Sequence, residues 1–389
     1  MTSARLQQIS NLTQSLIRFQ SVHDKPEEIH RCADFVETRL KSLGVDARRL
    51  EHNDSPSLLA LPRDGAAPVL LMSHIDVVSA EPGQFEPVRR GKKLYGRGSL
   101  DDKYAVALSL MLIENHLKDL EYQGRGQKDL PFGLLITSDE EMGGFDGAGR
   151  ILPTLDTEFV IVLDGGSPDK IVAKQKGFLK LRLVSNGQTA HGSQPWLGEN
   201  AIELLMDDYH KLCDILADSS PDHWHRTVNL SILHSGRPGE SESFNQVPDH
   251  AEAILDIRYT ERDEIDALLD QLRHELQSEM RVEARGPVFD GGTSPYLDRL
   301  LDCVPASHLG FTHSASDARF LTEFGIHGIV WGAAGDESAH SAREHVDLES
   351  ANQLYGLLDK FFLALREVSP AESGEPYRST APQDRGCSP

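Results

Sequence analysis

PVLLMSHIDVV occupies residues 68–78 and LYGRGSLDDK residues 94–103, and the reading of this stretch decides the fold. Residues 69–72 form an apolar run of strand type, and the two-residue period of a strand sends His74 and Asp76 out on one side. An imidazole and a carboxylate therefore leave the sheet together. Within thirty residues a second apolar-to-glycine transition presents Asp101 and Asp102 on a turn, where Gly96 and Gly98 let the backbone come close to a neighbour. Working outward, the apolar runs 132–137 and 159–163 end at the acid pair Glu140-Glu141 and at Asp164-Gly165-Gly166, and His340 follows late in the chain. Helical spacing at 6–19, 29–43 and 104–117 alternates with these strands. The pattern predicts an α/β domain with a mostly parallel sheet flanked by helices, its site beyond the carboxyl ends of the strands.

The pattern changes after residue 177. Residues 178–184, 228–233 and 251–259 alternate like half-exposed strands, 201–216 and 261–280 read as amphipathic helices, and 282–284 as a last short strand. That β-α-β-β-α-β order predicts an inserted ferredoxin-like α+β domain. Helix–strand alternation resumes at 297–303, 318–324 and 329–331. The expected division is a catalytic domain over 1–176, a lid and dimerisation domain over 177–286, the rest of the catalytic domain over 287–370, and a flexible Pro/Ser/Gly-rich tail over 371–389.

A chain of 389 residues exceeds what one ordinary core supports, in keeping with two domains. Its formal charge of −22 repels polyanions and argues against a nucleic-acid partner. No run reaches the length of a membrane span, and MTSARLQQISNL lacks the apolar core of a signal peptide. Cys32, Cys213, Cys303 and Cys387 are far apart, as in a reducing compartment, and the expected location is the cytoplasm.

His74, Asp101, Glu140, Glu141, Asp164 and His340 are a hard-donor set suited to zinc or a similar ion, or to two ions sharing a carboxylate. Taken singly, His-x-Asp is usually an ordinary core or surface histidine, adjacent glutamates a solvated face, and Asp-Gly-Gly a turn. The early carboxylates and His74 gain weight because they sit where apolar strands end. The ordered series HID, GRGSLDDK, SDEEMGG, DGG and AHSAREHV resembles the M20 family of dinuclear zinc peptidases and deacylases, over about residues 6–365. The resemblance implies an amidohydrolase that cleaves the amide of a small N-acyl amino acid or dipeptide through a metal-bound hydroxide. It implies two divalent metal ions per subunit, zinc, with cobalt or manganese as substitutes. His74 and Asp164 would hold one ion, Glu141 and His340 the other, and Asp101 would bridge them. Glu140 would be the general base, and Asp76 would orient His74. In QTAHGSQPWLGENAI, His191 matches a lid histidine that binds the oxyanion, in dimeric members from the neighbouring subunit. Asn245, Arg258 and Arg319 match substrate-contacting positions, an arginine suiting a free carboxylate on the substrate. A homodimer formed through the lid is expected.

The chain also departs from the family pattern. Tyr104 stands where relatives commonly carry glycine, and Asp164 where the desuccinylase and deacetylase branches usually carry glutamate, whereas SDARF and EHV look like the desuccinylase branch. The rival reading is a catalytically silent paralogue that binds or regulates, but it should have lost a ligand or the base, and none is missing. GRGSLD places Asp101 on the last glycine position of a dinucleotide fingerprint, and no G-x-S-x-G elbow offers a serine nucleophile.

Overall fold

The computed structural model describes residues 2–63, 65–237 and 243–367; the expected tail at 371–389 lies outside them. The elements run α1 (Thr2–Ile17), α2 (Pro26–Ser42), β1 (Ala47–His52), β2 (Ser55–Ala60), β3 (Val69–His74), β4 (Val88–Arg90), β5 (Lys93–Tyr95), α3 (Lys103–Tyr122), β6 (Gly133–Thr137), α4 (Ala148–Ile151), β7 (Phe159–Val162) and β8 (Lys170–Gln175). They continue with β9 (Gly177–Asn186), α5 (Ala201–Ile215), β10 (Thr227–Ser235), β11 (His250–Tyr259), α6 (Ile265–Glu275), β12 (Glu279–Gly286), β13 (Phe289–Asp290), α7 (Pro295–Cys303), β14 (His308–Thr312), α8 (Arg319–Phe324), β15 (His327–Val330), β16 (His345–Asp347) and α9 (Leu348–Glu367).

The central sheet has the order β1-β2-β6-β3-β7-β15-β8-β13, with β14 on β8. Its middle is parallel: β3 pairs with β6 and β7, and β15 with β7. Every residue of β3, β6 and β7 is buried, because helices cover both faces and no alternation survives. On one face Val106, Leu110, Ile113 and Leu117 of α3 join the main core with Phe361 and Phe362 of α9. On the other, α4 and α8 contribute Ile151, Phe320 and Leu321. The register aligns the strand ends, His74 with Thr137, Met72 with Val162, and Val330 with Val162. Four chains therefore leave the sheet at one level and on one side.

From Gly177 to Gly286 a separate four-stranded antiparallel sheet has the order β10-β11-β9-β12. This is the strand order of a ferredoxin-like fold, with Leu205 and Leu212 of α5 and Leu269 and Leu272 of α6 packed on its inner face. One expected element is corrected. The helix read over 261–280 is the eleven-residue α6, and residues 279–286 are a strand. The helix stops at Leu276 because the next two amides, of Gln277 and Ser278, donate to the buried carboxylate of Asp208 on α5, at 2.8 and 2.6 Å. Strands β8 and β14 and helix α9 are further elements that hydrophobic spacing did not single out. Cys32, Cys213 and Cys303 are free thiols, and among the described residues no helix is long and apolar enough to cross a membrane.

Candidate active site

His74 is the last residue of β3 and is buried, its main-chain amide donating to Asp102 at 3.3 Å. Its Nδ1 faces the carbonyl of Asp76 at 3.0 Å and the Asp76 carboxylate at 3.3 Å. Two acceptors on that side keep the ring proton on Nδ1 and turn Nε2 toward the site. The other oxygen of Asp76 accepts the amide of Glu141 at 2.9 Å, so one carboxylate sets both the imidazole and the turn that follows β6.

Asp101 stands at the centre. Its Oδ1 lies 2.9 Å from His74 Nε2 and its Oδ2 lies 3.0 Å from His340 Nε2. His340 Nε2 is also 3.2 Å from Glu141 Oε1. Two groups of potential donors result. One ligand atom each from His74, Glu140 and Asp164 lie within 4.8 Å of one another, and so do those from Asp101, Glu141 and His340. Four carboxylates and two histidines converge where the sheet ends, and Asp101 presents one oxygen to each histidine. This donor set fits two divalent cations sharing a carboxylate.

The clustered carboxylates and the two imidazoles shift one another's protonation. Burial, reinforced by Asp101, pushes the Asp164 carboxyl up to about 7. Burial also holds the Glu140 carboxyl well above the usual range, opposed by His74 and aided by Asp164, Asp317 and Asp101. For His74 burial acts downward, but the Asp101 and Asp76 carboxylates outweigh it and hold the imidazole well above its ordinary value. Hydrogen bonding to Asp101 and Glu141 raises His340 to about 10.

Two residues that sequence reasoning passed over brace this cluster. Arg97 and Glu344 form an ion pair with side chains only 4% and 1% exposed. Glu344 Oε1 accepts the amides of Leu100 and Asp101 at 3.0 and 3.2 Å, and Arg97 Nη2 donates to the carbonyl of His340 at 3.2 Å. The pair ties the Asp101 turn to the His340 loop. Both lie inside quoted runs, GRG and AREHV, and the available signal was charge embedded between glycines or beside apolar residues.

A cavity of about 1070 Å³ opens over the cluster, with Asp101, Glu140, Asp164 and His340 on the catalytic side and Phe178 and Arg258 on the ferredoxin-like side. Arg258 is held by Asp256 through contacts of 2.8 and 3.1 Å. Arg319 also lines the cavity, but it is buried, with Nη1 on the carbonyl of Ser316 at 3.1 Å and Nη2 on that of Gly143. His191 and Asn245 stand together elsewhere, both exposed, the Gly192 amide donating to the carbonyl of Asn245 at 2.6 Å and His191 Nδ1 meeting Ser193 Oγ at 2.8 Å. Neither lines the cavity in this conformation.

The fold is an α/β domain whose parallel strands end at a candidate metal cluster, the arrangement of a metal-dependent hydrolase. Residues 70–364 match Peptidase family M20/M25/M40, and the chain belongs to that family of hydrolases. A succinyl-diaminopimelate desuccinylase of Thioalkalivibrio sulfidiphilus (strain HL-EbGR7) is 28% identical over 91% of this chain and 98% of its own. Among solved structures, a tripeptidase of Staphylococcus aureus superposes with a TM-score of 0.75 at 19% identity, covering 93% of this chain and 98% of that one. A Bacillus subtilis protein described as a dinuclear metal binding peptidase of the M20 family superposes at 0.63 with 14% identity, covering 94% and 100%.

Proposed function

We propose that this chain hydrolyses the amide bond of a small N-acyl amino acid or dipeptide bearing a free carboxylate, using two zinc ions. The observation that carries the reading is Asp101, whose two oxygens face His74 and His340 separately. In this reading His74 and Asp164 hold one ion, Glu141 and His340 the other, and Asp101 joins them. Cobalt or manganese could occupy the same donors. The bound ions would supply Lewis acidity that lowers the pKa of water and polarises the scissile carbonyl.

The chain's own groups do the rest. Asp76 holds His74 in the tautomer that leaves Nε2 free and fixes the turn carrying Glu140 and Glu141. Glu140 takes a proton from the attacking water as the C–O bond forms and returns it to the amine nitrogen as the C–N bond breaks. Arg258 and Arg319, which both line the cavity beside the Phe178 ring, are the site for the substrate carboxylate. His191 and Asn245 reach the oxyanion after lid closure or from a second subunit. A homodimer is part of the reading: β10 is the edge strand of the lid sheet, and it exposes Ile232 and Leu233.

The test is Glu140→Gln. Elemental analysis should find wild-type metal content, and turnover on a panel of N-acetyl, N-succinyl and dipeptide substrates should drop by roughly 10²–10⁴. Full turnover, or loss of metal, overturns the role of Glu140.

A further inference from the structure

We infer that Tyr104 is a positioning residue for the metal cluster, its buried hydroxyl strapping the strand end that carries Asp164 to the loop that carries His340. The inference rests on the reading of those two residues as ligands.

Strands β7 and β15 run parallel as far as Val162 and Val330, and the amide of Trp331 still donates to the carbonyl of Val162 at 2.8 Å. Beyond that bond the two chains part. Gly165 and Gly166 take positive φ and turn Asp164 into the site, while residues 332–340 set out toward His340. A buried carbonyl, of Leu163, and a buried amide, of Ala333, are left where the ladder has stopped. Unpaired, each would carry the desolvation penalty of a lost hydrogen bond.

The Tyr104 hydroxyl satisfies both. It donates to the carbonyl of Leu163 at 2.8 Å and accepts the amide of Ala333 at 2.8 Å. Tyr104 lies in the first turn of α3, is 1% exposed, and follows closely on Asp101 and Asp102, so the same turn that presents the central carboxylate delivers the strap. The packing leaves no slack: a Cβ on Gly332 would sit 2.7 Å from the Tyr104 hydroxyl and 2.6 Å from the carbonyl of Gly165. One phenol therefore joins backbone adjacent to Asp164, the segment leading to His340, and the helix that begins beside Asp101.

The experiment uses the full-length protein, stripped of metal and titrated with Zn²⁺ against a competing chelator, and separately loaded with Co²⁺ for its visible absorption. Tyr104→Phe keeps the ring and removes the hydroxyl. Partners hydrogen-bonded to a ligand side chain are worth roughly 10- to 100-fold in metal affinity; Tyr104 acts through backbone beside the ligands, so a loss at the low end, about tenfold, with an altered cobalt spectrum is expected. Tyr355→Phe removes a half-buried hydroxyl on α9, 3.4 Å from the carbonyl of Met111, and should leave affinity and spectrum unchanged. If Tyr104→Phe does not fold without metal, it is purified with Co²⁺ present throughout and its spectrum alone is compared with that of the wild type. Wild-type affinity and spectrum in the folded variant overturn the inference and leave the two-metal reading intact. A wild-type protein that takes up no divalent metal overturns that reading and the inference with it.

Discussion

Replacing Arg97 with methionine should expose how much of the site's geometry depends on a contact remote from chemistry. The side chain is 4% exposed and its partner Glu344 1%, so the substitution strands a carboxylate in the interior. Breaking a buried pair by removing one member costs ~3–5 kcal/mol, because the remaining charge is uncompensated. The cost should depend on pH. Burial already raises the Glu344 carboxyl above its usual value, against the pull of the Leu100 amide and Arg97, and removing Arg97 raises it further. A raised carboxyl binds more protons in the folded than in the unfolded state, so stability falls as pH climbs from about 4.3 through the raised value. Urea unfolding of metal-free protein, followed by far-UV circular dichroism, should show a small loss for Arg97→Met near pH 5 and the full loss at pH 8. Arg97→Met/Glu344→Gln keeps an acceptor for the amides of Leu100 and Asp101 but has no buried charge. It should recover more than half of the loss and respond little to pH. A cost below about 1 kcal/mol at pH 8, or an equal cost at pH 5, refutes the argument that a buried charge pair is what braces the loops.

Asp101→Asn should lower metal content at both sites, because one carboxylate faces both histidines; elemental analysis reading one full equivalent would confine Asp101 to a single ion. Asp208→Ala leaves the amides of Gln277 and Ser278 without their acceptor and should destabilise the ferredoxin-like unit by ~2–4 kcal/mol, seen as faster hydrogen exchange in α6 and β12. Burial acts to raise the Asp208 carboxyl, but Ser278, Lys211 and the Gln277 amide hold it below the usual range. Its contribution is therefore present above about pH 3.9 and lost as pH falls through the depressed value, so the variant and wild type should converge in strong acid. Ile232→Lys on the exposed edge strand β10 should shift sedimentation from dimer to monomer, and a wild-type monomer at micromolar concentration refutes the dimer.

How far the site could be read in advance depended on how each residue reaches it. His74, Glu141 and Asp164 follow unbroken apolar runs, and in a parallel sheet an apolar run that ends in a charge marks the level where the strands stop. Local sequence carries that information. His340 has no such run leading directly to it. It arrives by a loop after β15, in the left-handed region at φ 60°; the sequence offered its donor type, and the family resemblance gave it a place among the ligands. The missed helix end has the same kind of cause: apolar spacing continues past Leu276, but the chain turns because Asp208, on another helix, offers its carboxylate to the next two amides.

The braces are harder still to read, for a physical reason. A residue in the left-handed region costs about 1–3 kcal/mol unless its surroundings hold it there, and the carbonyl of His340 is held by Arg97, 243 positions earlier. Arg97 is in turn neutralised by Glu344, which also anchors the amide of Asp101. None of these three links has a period or a spacing: two join a backbone group to a distant side chain, and the third joins two side chains 247 positions apart. Tyr104 adds a fourth of the same kind, between Leu163 and Ala333. Ligands are selected by donor chemistry, which a sequence displays. Their placement is set by which buried carbonyls and amides lack a ladder partner, and that is decided only when the strands have paired.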